Sequence, residues 1–131
     1  MMYLDANVFL YALLYTDERG KTAAALIQAV REGREQACTA TLTADEVAWE
    51  VQIARGREAA ARALTAFLEM RHLEVVDVTR EILWQARDLL ANGLDPRDAI
   101  HAACCLQKGA AMISEDADFD RVPGLKRRWI F

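Results

Sequence analysis

The sequence has no apolar run long enough to cross a membrane. Its longest runs, such as residues 8–15, stop far short of the roughly 20 residues that a spanning helix needs. The N-terminus also lacks the basic segment of a secretory signal, and Asp5 and Asn7 interrupt its apolar stretch. We therefore expect a cytoplasmic protein that makes no use of a membrane.

Cysteine is scarce, and so is positive charge. The three cysteines include the adjacent pair Cys104 and Cys105, a poor arrangement for structural disulfides, so we expect reduced core residues. Lys and Arg number 16 against 20 Asp and Glu, which gives a formal net charge of −4. This balance argues against a protein that coats nucleic acid by bulk charge, but it is compatible with an enzyme whose metal ions offset local carboxylates.

Apolar residues, in contrast, are plentiful. They make up 53% of the 131 residues, and charged residues make up 27%. This composition excludes a disordered tail or a disulfide-stapled miniature, and the length predicts one domain over residues 1–131.

Segments of strand character alternate with amphipathic, alanine-rich segments of helix character. This alternation predicts an α/β fold, a three-layer sandwich in which a parallel sheet lies between helices, with the last strand at an edge. The predicted strands are 1–4, 35–42, 73–78, 110–113 and 127–131, and the predicted helices are 8–14, 17–32, 43–55, 57–70, 81–91 and 95–108.

Four acidic residues lie where strands end or the adjoining helices begin. Asp5 follows the first predicted strand, Glu46 opens the helix after the second, Asp98 opens the helix before the fourth, and Asp116 follows the fourth. Open parallel sheets bind ligands beyond the carboxyl ends of their strands, so these side chains are candidates for one site. Converging carboxylates repel one another, and a hard divalent cation such as Mg²⁺ or Mn²⁺ is their natural partner.

Each acid taken alone also has a structural interpretation. Asp5 is a favoured helix N-cap, and Thr43 with Glu46 fits a capping box. Residues 95–98 fit the same helix-capping motif, with a proline in the first turn of the helix. Asp116 suits an ordinary turn. The functional interpretation therefore depends on the four acids occurring together.

The chain resembles the PIN domain family of metal-dependent ribonucleases, which includes the VapC-type toxins. Four features carry the resemblance: LDAN at residues 4–7, the acid Glu46, DAIHAA at residues 98–103 and SEDADF at residues 114–119. The resemblance implies a sheet of about five strands. It makes Asp5, Glu46, Asp98 and Asp116 the catalytic, metal-binding acids, and Asp118 is a fifth candidate ligand. Asn7 and Ser114 would support these acids. Ser114 stands where the family often has Thr.

The resemblance also implies a reaction and partners. We expect cleavage of single-stranded RNA by an activated water with Mg²⁺ or Mn²⁺, in the toxin of a type II toxin–antitoxin pair that forms a homodimer and binds an antitoxin. Arg97 and Arg121 could guide the RNA backbone, although solvated surface charge is about as good an interpretation. His101, Cys104 and Cys105 share one helix, but no complementary ligands complete a zinc site, so core packing is the better interpretation.

Three alternatives remain open from the sequence. One is a PIN nuclease that processes RNA and is not a toxin, and another is a PIN module that only binds partners. The third is a receiver-like Mg²⁺-binding regulatory domain, which is disfavoured because Asp5 lacks the second acid expected beside it.

Overall fold

The computed structural model describes all 131 residues. Its strands are β1 (Met2–Leu4), β2 (Ala37–Ala40), β3 (Leu73–Val76), β4 (Ala111–Ile113) and β5 (Arg127–Arg128). Its α-helices are α1 (Ala6–Leu14), α2 (Glu18–Arg31), α3 (Thr41–Arg55), α4 (Arg57–Leu68), α5 (Arg80–Leu89) and α6 (Pro96–Lys108), and short 3₁₀ turns cover Leu90–Asn92 and Ala117–Arg121. None of the helices has both the length and the apolar character required to span a membrane.

The five strands form one parallel sheet in the order β3-β2-β1-β4-β5. The chain builds outward from β1 to β3 and then crosses back to the other side of β1, so the strand order reverses between β1 and β4. A doubly wound sheet presents its ligand crevice at this reversal. The predicted parallel sheet and the edge position of the last strand are confirmed, although β5 is only two residues long.

Apolar side chains on both faces of the sheet account for the three layers. On one face Tyr3 packs in a core cluster with Ile82 of α5 and Ala99 of α6. On the other face Leu4 packs in a second cluster that includes Phe9 of α1 and side chains of α2, α3 and α4. Successive side chains of a strand point to opposite faces, so β1 contributes to both cores.

The junction between β2 and α3 differs from the prediction. The helix starts at Thr41, directly after the strand, and its N-cap residue Ala40 provides no capping side chain. The predicted capping box is wrong because Thr43 is buried, with its hydroxyl 2.7 Å from that of Thr39. Glu46 therefore lies in the second turn of α3 and is free of any capping role.

A substitution at Gly20 tests how closely α2 approaches the segment that precedes it. A Cβ at this position would lie 1.9 Å from the backbone oxygen of Tyr15. We therefore expect Gly20→Ala to lower the free energy of unfolding by about 2 kcal/mol through overpacking, although alanine ordinarily favours a helix over glycine by about 1 kcal/mol. Urea denaturation measures the change. The exposed Ala25→Gly in the same helix is the propensity control, and a stabilised Gly20→Ala protein would contradict the observed packing.

Candidate metal centre

Three aspartates from two segments of the chain converge beyond the carboxyl end of β4. Carboxylate oxygens of Asp98, Asp116 and Asp118 all lie within 4.8 Å of one another. Asp98 projects from the first turn of α6, and the other two belong to the segment that follows β4. Mg²⁺ binds oxygen ligands at about 2.1 Å, so opposite ligands are about 4.2 Å apart. The three aspartates, termed here the aspartate cluster, therefore fit a small divalent cation with little movement.

Asp5 adjoins this cluster through Ser114. One oxygen of Asp5, Oδ1, accepts a hydrogen bond of 2.8 Å from the backbone of Ala6, which confirms the N-cap prediction for α1. Its other oxygen, Oδ2, accepts a hydrogen bond of 2.6 Å from Ser114 Oγ. The same Oγ accepts a hydrogen bond of 3.1 Å from the backbone N–H of Asp116. Ser114 thus fixes the ends of β1 and β4 relative to each other, and Asp5 retains its carboxylate beside the cluster.

Asp98 and Asp5 are held in an environment that disfavours their negative charge. Burial, together with the charges of Asp116 and Asp5, raises the pKa of Asp98 to about 6. Burial also raises the pKa of Asp5, an effect that His101 and the hydrogen bond from Ser114 oppose. A bound cation would relieve this repulsion, so the electrostatics and the oxygen donor set agree.

The structure does not place Glu46 in the aspartate cluster. Its Oε1 is hydrogen-bonded to Nε2 of His101. The ring of His101 is only 1% exposed, and its Nδ1 lies 2.7 Å from the hydroxyl of Tyr3. Sequence reasoning assigned His101 to core packing; it is buried, but it also contacts a predicted site residue. The only signal in the sequence was its position one helical turn after Asp98.

The cysteines provide no competing metal site. Cys38, Cys104 and Cys105 are buried and unpaired, as predicted. The aspartate cluster is the one group of three or more Asp, Glu, His or Cys side chains whose ligand atoms lie close enough to share an ion, and it contains no cysteine. A zinc site on α6 therefore gains no support from the structure.

Of the two predicted substrate-binding arginines, Arg121 is already paired. It lies 3.3 Å from Asp118 and donates a hydrogen bond to the carbonyl of Gly93. Arg97 is exposed and lines a groove of about 260 Å³ whose other walls include Asn7, Glu46 and Trp49. The predicted supporting residue Asn7 therefore faces this groove, which we call the Glu46 groove.

Arg127 has a structural role that the sequence did not reveal. Its guanidinium donates to the carbonyl oxygen of Ser114 at 3.0 Å and pairs with Asp120. These bonds tie β5 and the 3₁₀ turn to the end of β4. No local pattern in the sequence identifies these partners.

Comparison with known proteins assigns the chain to a family. The PIN domain model matches residues 2–125, and the chain belongs to the PIN domain family. None of the curated proteins matches the sequence.

Similar solved structures cover nearly the whole chain. VapC20 of Mycobacterium tuberculosis, described as a toxin that cleaves the sarcin–ricin loop, has a TM-score of 0.75 at 20% identity over 92% of this chain and 93% of its own. The DNA-bound VapBC of Salmonella typhimurium has a TM-score of 0.75 at 17% identity, over 99% of this chain and 98% of its own. VapBC2 of Rickettsia felis, bound to a promoter DNA fragment, has a TM-score of 0.74 at 18% identity, over 98% of each chain. These likenesses establish the shared fold.

Cation binding is testable by thermal unfolding of the wild type and Asp98→Asn. In chelator at neutral pH we expect the variant to melt at a higher temperature, because it removes one of three crowded charges. Millimolar Mn²⁺ should raise the melting temperature of the wild type by several degrees and that of the variant much less, because a ligand stabilises the state that binds it.

Asp88→Asn is the control for this prediction, since Asp88 is an exposed aspartate of α5 paired only with Arg87. It should respond to Mn²⁺ as the wild type does. Equal responses of all three proteins would show that the cluster binds no cation.

Proposed function

We propose that this protein is a Mg²⁺- or Mn²⁺-dependent endoribonuclease that cleaves single-stranded RNA and serves as the toxin of a type II toxin–antitoxin pair. The observation that carries the proposal is the convergence of Asp98, Asp116 and Asp118 at the strand reversal of a PIN domain. Residues 1–131 would act as one nuclease domain.

Each acidic residue of the site would have a role that follows from its position. Asp98, Asp116 and Asp118 would hold the cation, Asp5 would complete its shell directly or through water, and Glu46 would approach from the opposite wall. When bound, the cation would orient and acidify the attacking water and stabilise the departing oxygen of the phosphodiester. Ser114 would keep Asp5 in place with its hydrogen bond.

The Glu46 groove is the proposed path of the RNA. Arg97 offers an unpaired guanidinium at its edge, which suits a phosphate of the backbone. Trp49 is 56% exposed in the same groove and offers a surface for stacking an unpaired base. Arg121 would contribute to phosphate binding only after leaving Asp118.

The toxin role and the partners are supported by the similar structures. VapC20 is described as a toxin, and two other structures contain VapBC assemblies. We propose that this chain likewise forms a homodimer and binds an antitoxin protein that blocks the site. Sedimentation analysis of the chain alone, and of the chain with the product of an adjacent gene, tests both partnerships.

The nuclease proposal is tested by incubating a mixed pool of single-stranded RNA with the wild type, Asp98→Asn and Asp88→Asn. We expect Mg²⁺- or Mn²⁺-dependent cleavage by the wild type and Asp88→Asn. Asp98→Asn should lower the rate at least a hundredfold, about 2.7 kcal/mol in barrier height, because it removes a cation ligand and keeps the shape of the side chain. Chelator should abolish cleavage by all three.

Two results would contradict the nuclease proposal. Cleavage that persists in Asp98→Asn and in chelator would place the activity outside the aspartate cluster. A folded wild type that binds Mn²⁺ and leaves the RNA pool intact would favour a module that only binds partners.

A further inference from the structure

Two groups of hydrogen-bonded polar side chains are buried beneath the site, and one of them ends at Glu46. The hydroxyl of Thr39 lies 2.7 Å from the carbonyl oxygen of Leu4 and 2.7 Å from the hydroxyl of Thr43. The Tyr3 hydroxyl lies 2.7 Å from Nδ1 of His101, and Nε2 of His101 is hydrogen-bonded to Glu46. The hydrogen-bonded series Tyr3–His101–Glu46 therefore passes from β1 through α6 to α3.

The Glu46 carboxylate determines the direction of the hydrogen bonds in the series Tyr3–His101–Glu46. The Glu46 carboxylate only accepts hydrogen bonds, so the proton of the His101–Glu46 bond belongs on Nε2. In the neutral ring Nδ1 is then the acceptor, and the Tyr3 hydroxyl donates its hydrogen to it. No buried polar side-chain atom in the molecule lacks a partner, so each of these groups is satisfied by the arrangement.

We propose that Tyr3 and His101 position the Glu46 carboxylate, with Tyr3 selecting the His101 tautomer whose Nε2–H bonds Glu46. His101 is thus a positioning residue that acts through Glu46. The inference rests on the proposed function, because it gives Glu46 a part in cation or RNA binding.

Glu46 needs such a support because of its surroundings. Its carboxylate is at the end of a long side chain in the wall of the Glu46 groove. The charge of this carboxylate is near enough to Asp5 to raise the pKa of that carboxyl. Repulsion from the neighbouring acids would favour rotamers that turn Glu46 toward solvent. The bond to His101, whose ring is fixed by Tyr3 and by the α6 core, holds it against this repulsion.

The tautomer is measured directly by ¹⁵N-resolved imidazole NMR of the wild-type protein. We expect a protonated Nε2 and a Nδ1 that accepts a hydrogen bond. Tyr3→Phe, which removes only the hydroxyl, should shift the Nδ1 resonance. A His101 ring that carries its proton on Nδ1 alone would overturn the proposal.

The positioning role is measured by Mn²⁺ affinity, using calorimetry on the same variants. His101→Leu removes the donor and should weaken Mn²⁺ binding at least about tenfold, as loss of an orienting partner typically does. His101→Gln restores an N–H donor and should recover to within about threefold. Cys105→Ala is the control: it is a buried residue of α6 outside the series and should bind Mn²⁺ as the wild type does.

A double-mutant cycle separates positioning from simple support of the fold. If His101 acts through Glu46, the double variant His101→Leu/Glu46→Gln should bind Mn²⁺ no more weakly than Glu46→Gln alone. Additive losses, or wild-type affinity in His101→Leu, would overturn the inference. Because His101→Gln and Tyr3→Phe conserve volume, they keep the test available if His101→Leu does not fold.

The same measurements distinguish this inference from the nuclease proposal. Wild-type Mn²⁺ affinity and RNA cleavage in Glu46→Gln, with both lost in Asp98→Asn, would overturn the positioning role and leave the nuclease intact. Loss of both in Glu46→Gln with no effect of His101→Leu would overturn only the role of His101.

Discussion

The hydrogen bond from Ser114 to Asp5 is the contact on which the geometry of the site depends. Parallel pairing sets Leu4 opposite Ile113, so the next residues of the two central strands, Asp5 and Ser114, emerge side by side. Because Ser114 also accepts from the backbone of Asp116, one hydroxyl fixes the direction in which the chain leaves β4. The aspartate cluster forms only if the chain follows that direction.

The price of this geometry is electrostatic. Asp5 and Asp98 are carboxylates whose burial opposes ionisation, and both have raised pKa values. For such groups the unfavourable contribution to stability grows as the pH rises through the folded-state pKa, because the native state binds the proton more tightly than the unfolded state does. A chain selected for stability alone would replace at least one of these acids. Their retention together is what a cation-binding site requires.

Much of the fold follows from the sequence because its signals are local. Alternating strand and helix patterns predict a parallel sheet. The position of Asp5 after the first strand predicts that it caps α1 and that it lies beyond the carboxyl ends of the strands. The sequence does not reveal the start of α3 at Thr41, because Thr43 bonds in the interior to Thr39, which in turn bonds to the carbonyl of Leu4 in β1. A Thr-x-x-Glu pattern reads as a capping box only when its hydroxyl faces the helix end.

The site was predictable where strand ends determine it and unpredictable where side chains choose partners across the fold. Asp98 and Asp116 meet because the helix before β4 and the loop after it both reach the same edge of the sheet. Asp118 joins them through the turn capped by Asp116, whose carboxylate accepts from the backbone N–H of Asp118. Glu46 bonds to His101, 55 residues away, and Arg127 bonds to the carbonyl of Ser114, 13 residues away, and only the folded arrangement reveals these contacts.

Helix α6 connects the two halves of the site. Its first turn supplies Asp98 to the aspartate cluster, and its next turn supplies His101 to Glu46 on α3. Residues three apart on a helix lie on the same face, so the two contacts follow from one orientation of α6. Small buried residues such as Ala99 and Ala102 let this face pack closely against the sheet. Any rotation of α6 would therefore displace Asp98 and release Glu46 together, which makes the packing of this helix a condition for both walls of the site.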